Sequence, residues 1–277
     1  PGREFNAASW RGVCALSRIR LIDRLGAAAI LVGAVGWLVP GQARSDAPVT
    51  DCDLLAAHPA DSQKVAPGVQ WDLMDGRAAI RACEEAVALN PDSLRLRYQL
   101  GRSLLRMQRR DEALPYLIDV AEKGYLIAFS NIGGTYQFDL GNYTEALKWY
   151  RRGVELNDES SRYHLAQMYL DGTGVPQSFA EAMNLYLPSA QKNTPVSIYY
   201  IGQIYLRGDH TVPRDYQKAM QWFQRAAELG FARAHNDIGY MLEEGLGVKK
   251  DVAAAAKWYR LAADQGWSKG QRNIGRL

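Results

Sequence analysis

Apolar side chains between Leu94 and Gly266 recur at intervals of three and four residues, the spacing that gathers them on one side of an α-helix. Ile198, Ile201, Gly202 and Tyr205 fall at i, i+3, i+4 and i+7, and Ala219, Trp222, Phe223, Ala226 and Ala227 form a second stripe one connection later. Each stripe predicts an amphipathic helix, and the two together predict a pair packed through their apolar sides. Turn residues separate the members of such pairs. Asp171-Gly172-Thr173-Gly174 and Glu244-Gly245-Leu246-Gly247 carry glycines that reach positive φ without strain. Lys123-Gly124, Gly153, Leu229-Gly230 and Gln265-Gly266 mark the expected ends of successive pairs, because glycine commonly follows the last helical turn.

The pattern repeats. Small residues stand at Gly101, Gly133, Ala166, Gly202, Gly239 and Gly275, at spacings of 32, 33, 36, 37 and 36. Bulky pairs keep the same step in the second helices: Trp149-Tyr150, Leu185-Tyr186, Trp222-Phe223 and Trp258-Tyr259. Glycine inside a helix costs about 1 kcal/mol relative to alanine, so its recurrence predicts a neighbouring helix that must approach closely. The expected fold is all-α: a right-handed α-solenoid of antiparallel helix pairs over residues 94–277, with about five repeats plus a terminal half-repeat. Residues 48–93 carry no full unit. Asp51–Ala57 reads as a short helix and Met74–Asn90 as the second helix of a half-repeat, together a cap over the first apolar face.

At this point the chain resembles a known family. Ile238-Gly239-Tyr240-Met241, Gly245-Leu246-Gly247-Val248, Ala256-Lys257-Trp258-Tyr259 and Ala262-Ala263-Asp264-Gln265-Gly266 are similar to the Sel-1-like repeat. Gly172-Thr173-Gly174-Val175 and the run from Trp222 to Gly230 bring in the two preceding units. The first two units are shorter and resemble tetratricopeptide repeats, through Asn90-Pro91 and through Gly141-Asn142-Tyr143-Thr144-Glu145-Ala146. The likeness spans about residues 78–277. It implies a groove lined by first helices, and a protein or peptide partner. Carried over residue by residue, the groove positions are Arg95, Tyr98 and Arg102; Ser130 and Gln137; Tyr163, Gln167 and Asp171; Tyr199, Gln203 and Arg207; and Asn236, Tyr240 and Glu243. Tyr and Arg are the residue types that supply much of the energy in such interfaces.

Charge changes the picture only at the front. The chain has 33 basic and 30 acidic residues, and removing the six basic and three acidic groups ahead of Asp51 leaves 27 of each. A neutral body lacks the clustered cations that hold a phosphate backbone, so no nucleic-acid partner is expected. Arg18, Arg20 and Arg24 precede an uncharged apolar run from Leu25 to Val39, and small residues follow around Ala43–Ala47. This is the layout of a secretory signal peptide cleaved near Ala43–Ala47, and it predicts a periplasmic or secreted protein. Residues 1–47 are therefore read as an N-terminal extension and leader, with no Met ahead of Met74 and the first dozen residues expected to precede the true start. The run has 15 residues against the roughly 20 that span a bilayer. Membrane contact is expected only through an uncleaved leader. Removal of Cys14 with that leader leaves Cys52 and Cys83 as an even pair, expected to form a disulfide in an oxidising compartment; the alternative is two unrelated buried thiols.

Candidate chemistry is sparse. His58, His164, His210 and His235 lack the paired spacing of a metal site, and the Gly-x-Gly-Val turns lack the strand and the Lys-Ser or Lys-Thr of a phosphate loop. No catalytic residue, metal or cofactor is assigned. The expected function is a non-catalytic interaction scaffold or adaptor of the bacterial cell envelope. Two alternatives come from other classes. One is a cell-wall or β-lactam-acting hydrolase related to disulfide-rich repeat proteins, although those carry a Cys pair in each unit where this chain has one. The other is the regulatory arm of a longer enzyme.

Overall fold

The computed structural model describes residues 48–277. The expected leader over residues 1–47, with its apolar run, its Ala43–Ala47 cleavage region and Cys14, lies outside the described residues. Among the described residues every regular element is helical. Two helices come first, α1 (Asp51–Ala56) and α2 (Gly76–Leu89). Five pairs follow: α3 (Leu94–Arg106) with α4 (Arg110–Glu122), α5 (Ile127–Gly134) with α6 (Tyr143–Glu155), α7 (Glu159–Asp171) with α8 (Phe179–Gln191), α9 (Pro195–Arg207) with α10 (Tyr216–Glu228), and α11 (Ala232–Glu244) with α12 (Val252–Asp264). Helix α13 (Ser268–Arg276) stands where a sixth first helix belongs, and a π-helical turn over Thr135–Asp139 extends α5. Each helix packs on its sequence neighbours, and first helices α5 and α7 also touch. That is the nearest-neighbour pattern of an α-solenoid, in which each pair buries its apolar side against the next.

Local chemistry sets the helix ends. Ser93, Asn142, Asp158, Ser178, Asp215 and Asp251 cap α3, α6, α7, α8, α10 and α12 by accepting a first-turn N–H, each contributing about 1 kcal/mol. Gly172 and Gly245 close α7 and α11 in the left-handed conformation, at φ 71° and 72°.

The helix glycines do what their recurrence predicts. A Cβ on Gly133 would fall 2.4 Å from the Tyr150 ring, one on Gly202 2.6 Å from Phe223, and one on Gly239 2.8 Å from Tyr259. Each first helix thus offers a notch into which the next helix inserts a ring, and those rings are fully buried. Gly153 corrects the reading of it as a helix end. It lies inside α6, where a Cβ would strike Ser161 of α7, so close packing and not capping selects it.

At the N-terminal end a Cys52–Cys83 disulfide joins α1 to α2. Cys52, Ala56, Ile80, Cys83 and Ala86 form one buried cluster with Leu96, Leu100 and Leu104 of α3. No helix among the described residues is long and apolar enough to cross a membrane.

Candidate functional site

The first helices share a register when counted from their small residue. The positions six before, two before and one after it follow i, i+4, i+7 and so form one stripe on each helix. On α3 the stripe is Arg95, Gln99 and Arg102. On α7, α9 and α11 it is Ser160, His164 and Gln167; then Val196, Tyr200 and Gln203; then Arg233, Asp237 and Tyr240. On α13 it is Lys269, Asn273 and Arg276.

The stripe of α3 is already occupied. The segment from Thr50 to Met74, here called the strap, holds α1 and an irregular stretch against it. Asp53, with no solvent exposure, pairs with Arg95 and accepts a 3.0 Å hydrogen bond from Gln99 Nε2; its other oxygen takes the Thr50 N–H and hydroxyl. Arg102 donates to the carbonyls of Ala56 at 2.8 Å, Ala57 at 3.1 Å and Val69 at 2.7 Å, with the Trp71 ring 5.8 Å from its guanidinium. It is 1% exposed, a buried cation held by backbone oxygens through Nη1 and Nη2, while its Nε has no partner among the described residues. Farther along, the Tyr125 hydroxyl donates to Asp61 just ahead of α5. Burial, with Arg102 and Lys64 adding to it, lowers His58 of the strap to about 4, so it stays neutral beside the Arg102 cation. Where the strap's Ala60–Gln63 meets the turns before α5 and α7, a cleft of about 410 Å³ opens.

A second regularity runs from unit to unit. The residue three before the small residue reaches the residue two before it on the next first helix. Asn131 Nδ2 donates to Tyr98 Oη at 2.6 Å, Tyr163 Oη to Tyr200 Oη at 3.4 Å, Tyr199 Oη to Asp237 at 2.9 Å, and Asn273 Nδ2 to Asn236 Oδ1 at 3.0 Å. Gln203 joins Asp237 from α9, and Asn236 Nδ2 donates to its other oxygen at 2.9 Å. Burial raises the Asp237 carboxyl, and the Asn236 and Tyr199 hydrogen bonds, with Lys269 and Arg233, oppose that shift. The ladder fails between α5 and α7, where Ser130 turns back to the Ile127 carbonyl and His164 stacks on Tyr150 at 5.3 Å between ring centres.

These contacts locate every residue expected to line a groove. Arg95, Tyr98 and Arg102 do not face an open one, because the strap and its neighbours cover them. Tyr199 and Asn236 are buried rungs of the ladder, and half-buried Tyr163 is another. Gln137 and Glu243 serve the notches: Tyr150 donates to Gln137 at 2.9 Å, and Tyr259 to buried Glu243 at 2.6 Å, where Arg276 also donates at 2.7 Å. Gln167 and Gln203 are half-buried and bonded to Tyr186 and to Tyr199. Tyr240 is 43% exposed, and Asp171 and Arg207 are exposed as well. Asn131, Tyr200, Arg233, Asp237, Lys269 and Asn273 were missed. Their signal was the constant offset from the small residues, which places them on the same stripe as Gln99 and Arg95. Among the described residues no group of three or more His, Cys, Asp or Glu side chains could hold a metal ion.

Comparison with known proteins agrees with this register. The Sel1 repeat family matches residues 160–193, 195–231 and 232–267, and tetratricopeptide repeat families match residues 74–125 and 128–160. A solved Sel1 repeat protein from Oxalobacter formigenes is 32% identical, with a TM-score of 0.56 over 65% of this chain and 74% of that one. A protective antigen of uropathogenic Escherichia coli displaying an SLR fold is 28% identical, with a TM-score of 0.60 over 70% of this chain and 43% of that one. Among curated proteins, chitin synthase regulatory factor 3 of Schizosaccharomyces pombe is 24% identical over 199 residues, and the match spans 16% of its length. Proteins built from these repeats typically mediate protein–protein interaction. On the repeat register and on the identity to the Oxalobacter formigenes structure, this chain belongs to the Sel1 repeat proteins.

Proposed function

We propose that this protein is a non-catalytic interaction scaffold of the bacterial cell envelope that binds a peptide or protein segment along the stripes of its first helices. The observation that carries the reading is the strap. A surface that receives a carboxylate on Arg95 and Gln99 and three backbone carbonyls on Arg102 has the chemistry for holding polypeptide, and the same register continues along α7, α9, α11 and α13. The envelope location rests on the apolar run behind Arg18, Arg20 and Arg24 and on the Cys52–Cys83 pairing, which suits an oxidising compartment.

Site-specific photo-crosslinking tests it. A photoreactive residue at Tyr240 is expected to give a discrete adduct in cells, whereas one at Gln224, on the exposed side of α10, gives none. Equal adducts from both positions, or none from either, would contradict the reading. N-terminal sequencing of the protein recovered from the periplasm checks the location, with cleavage expected in the Ala43–Ala47 region.

A further inference from the structure

The strap shows what the chain's own first-helix stripe accepts, and the stripe of α13 repeats that chemistry. Arg95, Gln99 and Arg102 on α3 read cation, amide, cation; Lys269, Asn273 and Arg276 on α13 read the same at the same three positions. On α3 the occupant is acidic, with Asp53 set between Arg95 and Gln99. On α13 Lys269 is exposed and forms no ion pair among the described residues, and neither does Arg272 beside it or Arg233 on α11. The α13 sequence, SKGQRNIGR, contains no acid at all.

The helix dipole does not favour these cations. Arg95, Arg233 and Lys269 all stand in the first turn of their helices, where the helix dipole disfavours positive charge. Arg95 is compensated by Asp53 of the strap. Arg233 lies over the Trp267 ring at 4.8 Å and reaches the Tyr200 hydroxyl at 3.4 Å, but it meets no carboxylate in an ion pair. One acid lies nearby. Asp237 replaces Gln99 in the α11 register, yet its oxygens are engaged by Tyr199, Gln203 and Asn236, and Arg233 and Lys269 both act on its charge. With Arg272 added, the patch keeps a net positive charge.

We infer that the stripes of α11 and α13, around Arg233, Lys269, Arg272 and Asn273, form a docking surface for an acidic peptide segment of a partner protein, received as α3 receives the strap. A partner carboxylate takes the place of Asp53, between Lys269 and Asn273. The half-buried Tyr200 and the exposed Tyr240 supply aromatic surface beside it. The inference rests on reading the first-helix face as a peptide-binding surface and adds the charge of the peptide.

The test uses the whole disulfide-bonded protein and two labelled peptides. One copies the start of the strap with Ser in place of Cys52, Val-Thr-Asp-Ser-Asp-Leu-Leu-Ala-Ala, and the other has both Asp replaced by Asn. In fluorescence anisotropy the Asp peptide is expected to bind at least tenfold more tightly, with an affinity that falls as salt rises. Lys269→Glu with Arg272→Glu, both exposed positions, should remove that preference while leaving the helical circular dichroism unchanged; Arg233→Ala by itself should weaken it. Equal binding of the two peptides, or indifference to the Lys269 and Arg272 changes, overturns the inference. Binding of both peptides alike that is lost with Tyr240→Ala would overturn it while leaving the peptide-binding reading intact. A concentration-dependent dimer abolished by the same charge reversals would make a second copy the occupant, and that also overturns it.

Discussion

The first helices α3 and α13 carry the same polar stripe in different circumstances. On α3, Arg95, Gln99 and Arg102 are covered by the strap and hold the N-terminal end together. On α13, Lys269 and Arg272 lie in water. Residue type and register therefore do not decide whether a stripe position is structural or recognitive. What lies over it decides. A buried guanidinium bonded to three carbonyls stabilises the fold because removing it takes a donor from each, whereas an exposed cation contributes little to stability.

Breaking the bridge at the covered end should have the largest effect. Cys52→Ser with Cys83→Ser removes a cross-link between residues 31 apart and is expected to cost about 3–4 kcal/mol in urea unfolding, a figure that depends on the chain-entropy account. Arg102→Met keeps most of the stem but takes the guanidinium donor from the Ala56 and Val69 carbonyls, and from that of Ala57, which keeps the Val69 N–H, at a cost of about 2–3 kcal/mol. Tyr199→Phe removes one rung between α9 and α11 and should cost about 1 kcal/mol, read from the same denaturation midpoints.

Acid should weaken the strap. The folded pKa of His58 is about 4 against 6.5 for the free side chain, so the unfolded chain binds its proton first. Its contribution to strap stability is complete above about pH 6.5 and is lost as pH falls through 4. Burial lowers His164 and His235 in the same direction. Melting temperature should therefore fall between pH 7 and pH 4, and His58→Gln should flatten part of that slope. The smallest change is expected on α13, where Lys269→Ala should shift stability by less than about 0.5 kcal/mol.

Much of the fold was legible in the sequence because its determinants are local and periodic. The helix glycines announced the notches, and the rings that fill them kept the same step. Gly153 misled because a glycine near a helix end serves close packing as readily as capping; only the position of Ser161 distinguishes the two. The stripe was half legible. Tyr98, Tyr199 and Asn236 were placed on the correct helices, but a residue three positions before the small residue bonds forward to the next unit, and one unit's pattern does not reveal that. Residues 48–93 were read as a cap over an apolar face, built from a short helix and a half-repeat. The strap's polar grip was not legible: Asp53 meets Arg95 42 positions away, and Arg102 reaches 33 to 46 positions back to backbone carbonyls that leave no trace in side-chain pattern.

Arginine labelling with phenylglyoxal, followed by peptide mass mapping, tests most directly whether the chain itself fills the first part of its binding face. Arg102 should remain unlabelled while the Cys52–Cys83 bridge is intact and become labelled on reduction, with Arg272 labelled in both states. Labelling of Arg102 at the rate of Arg272 in the oxidised protein would contradict the account.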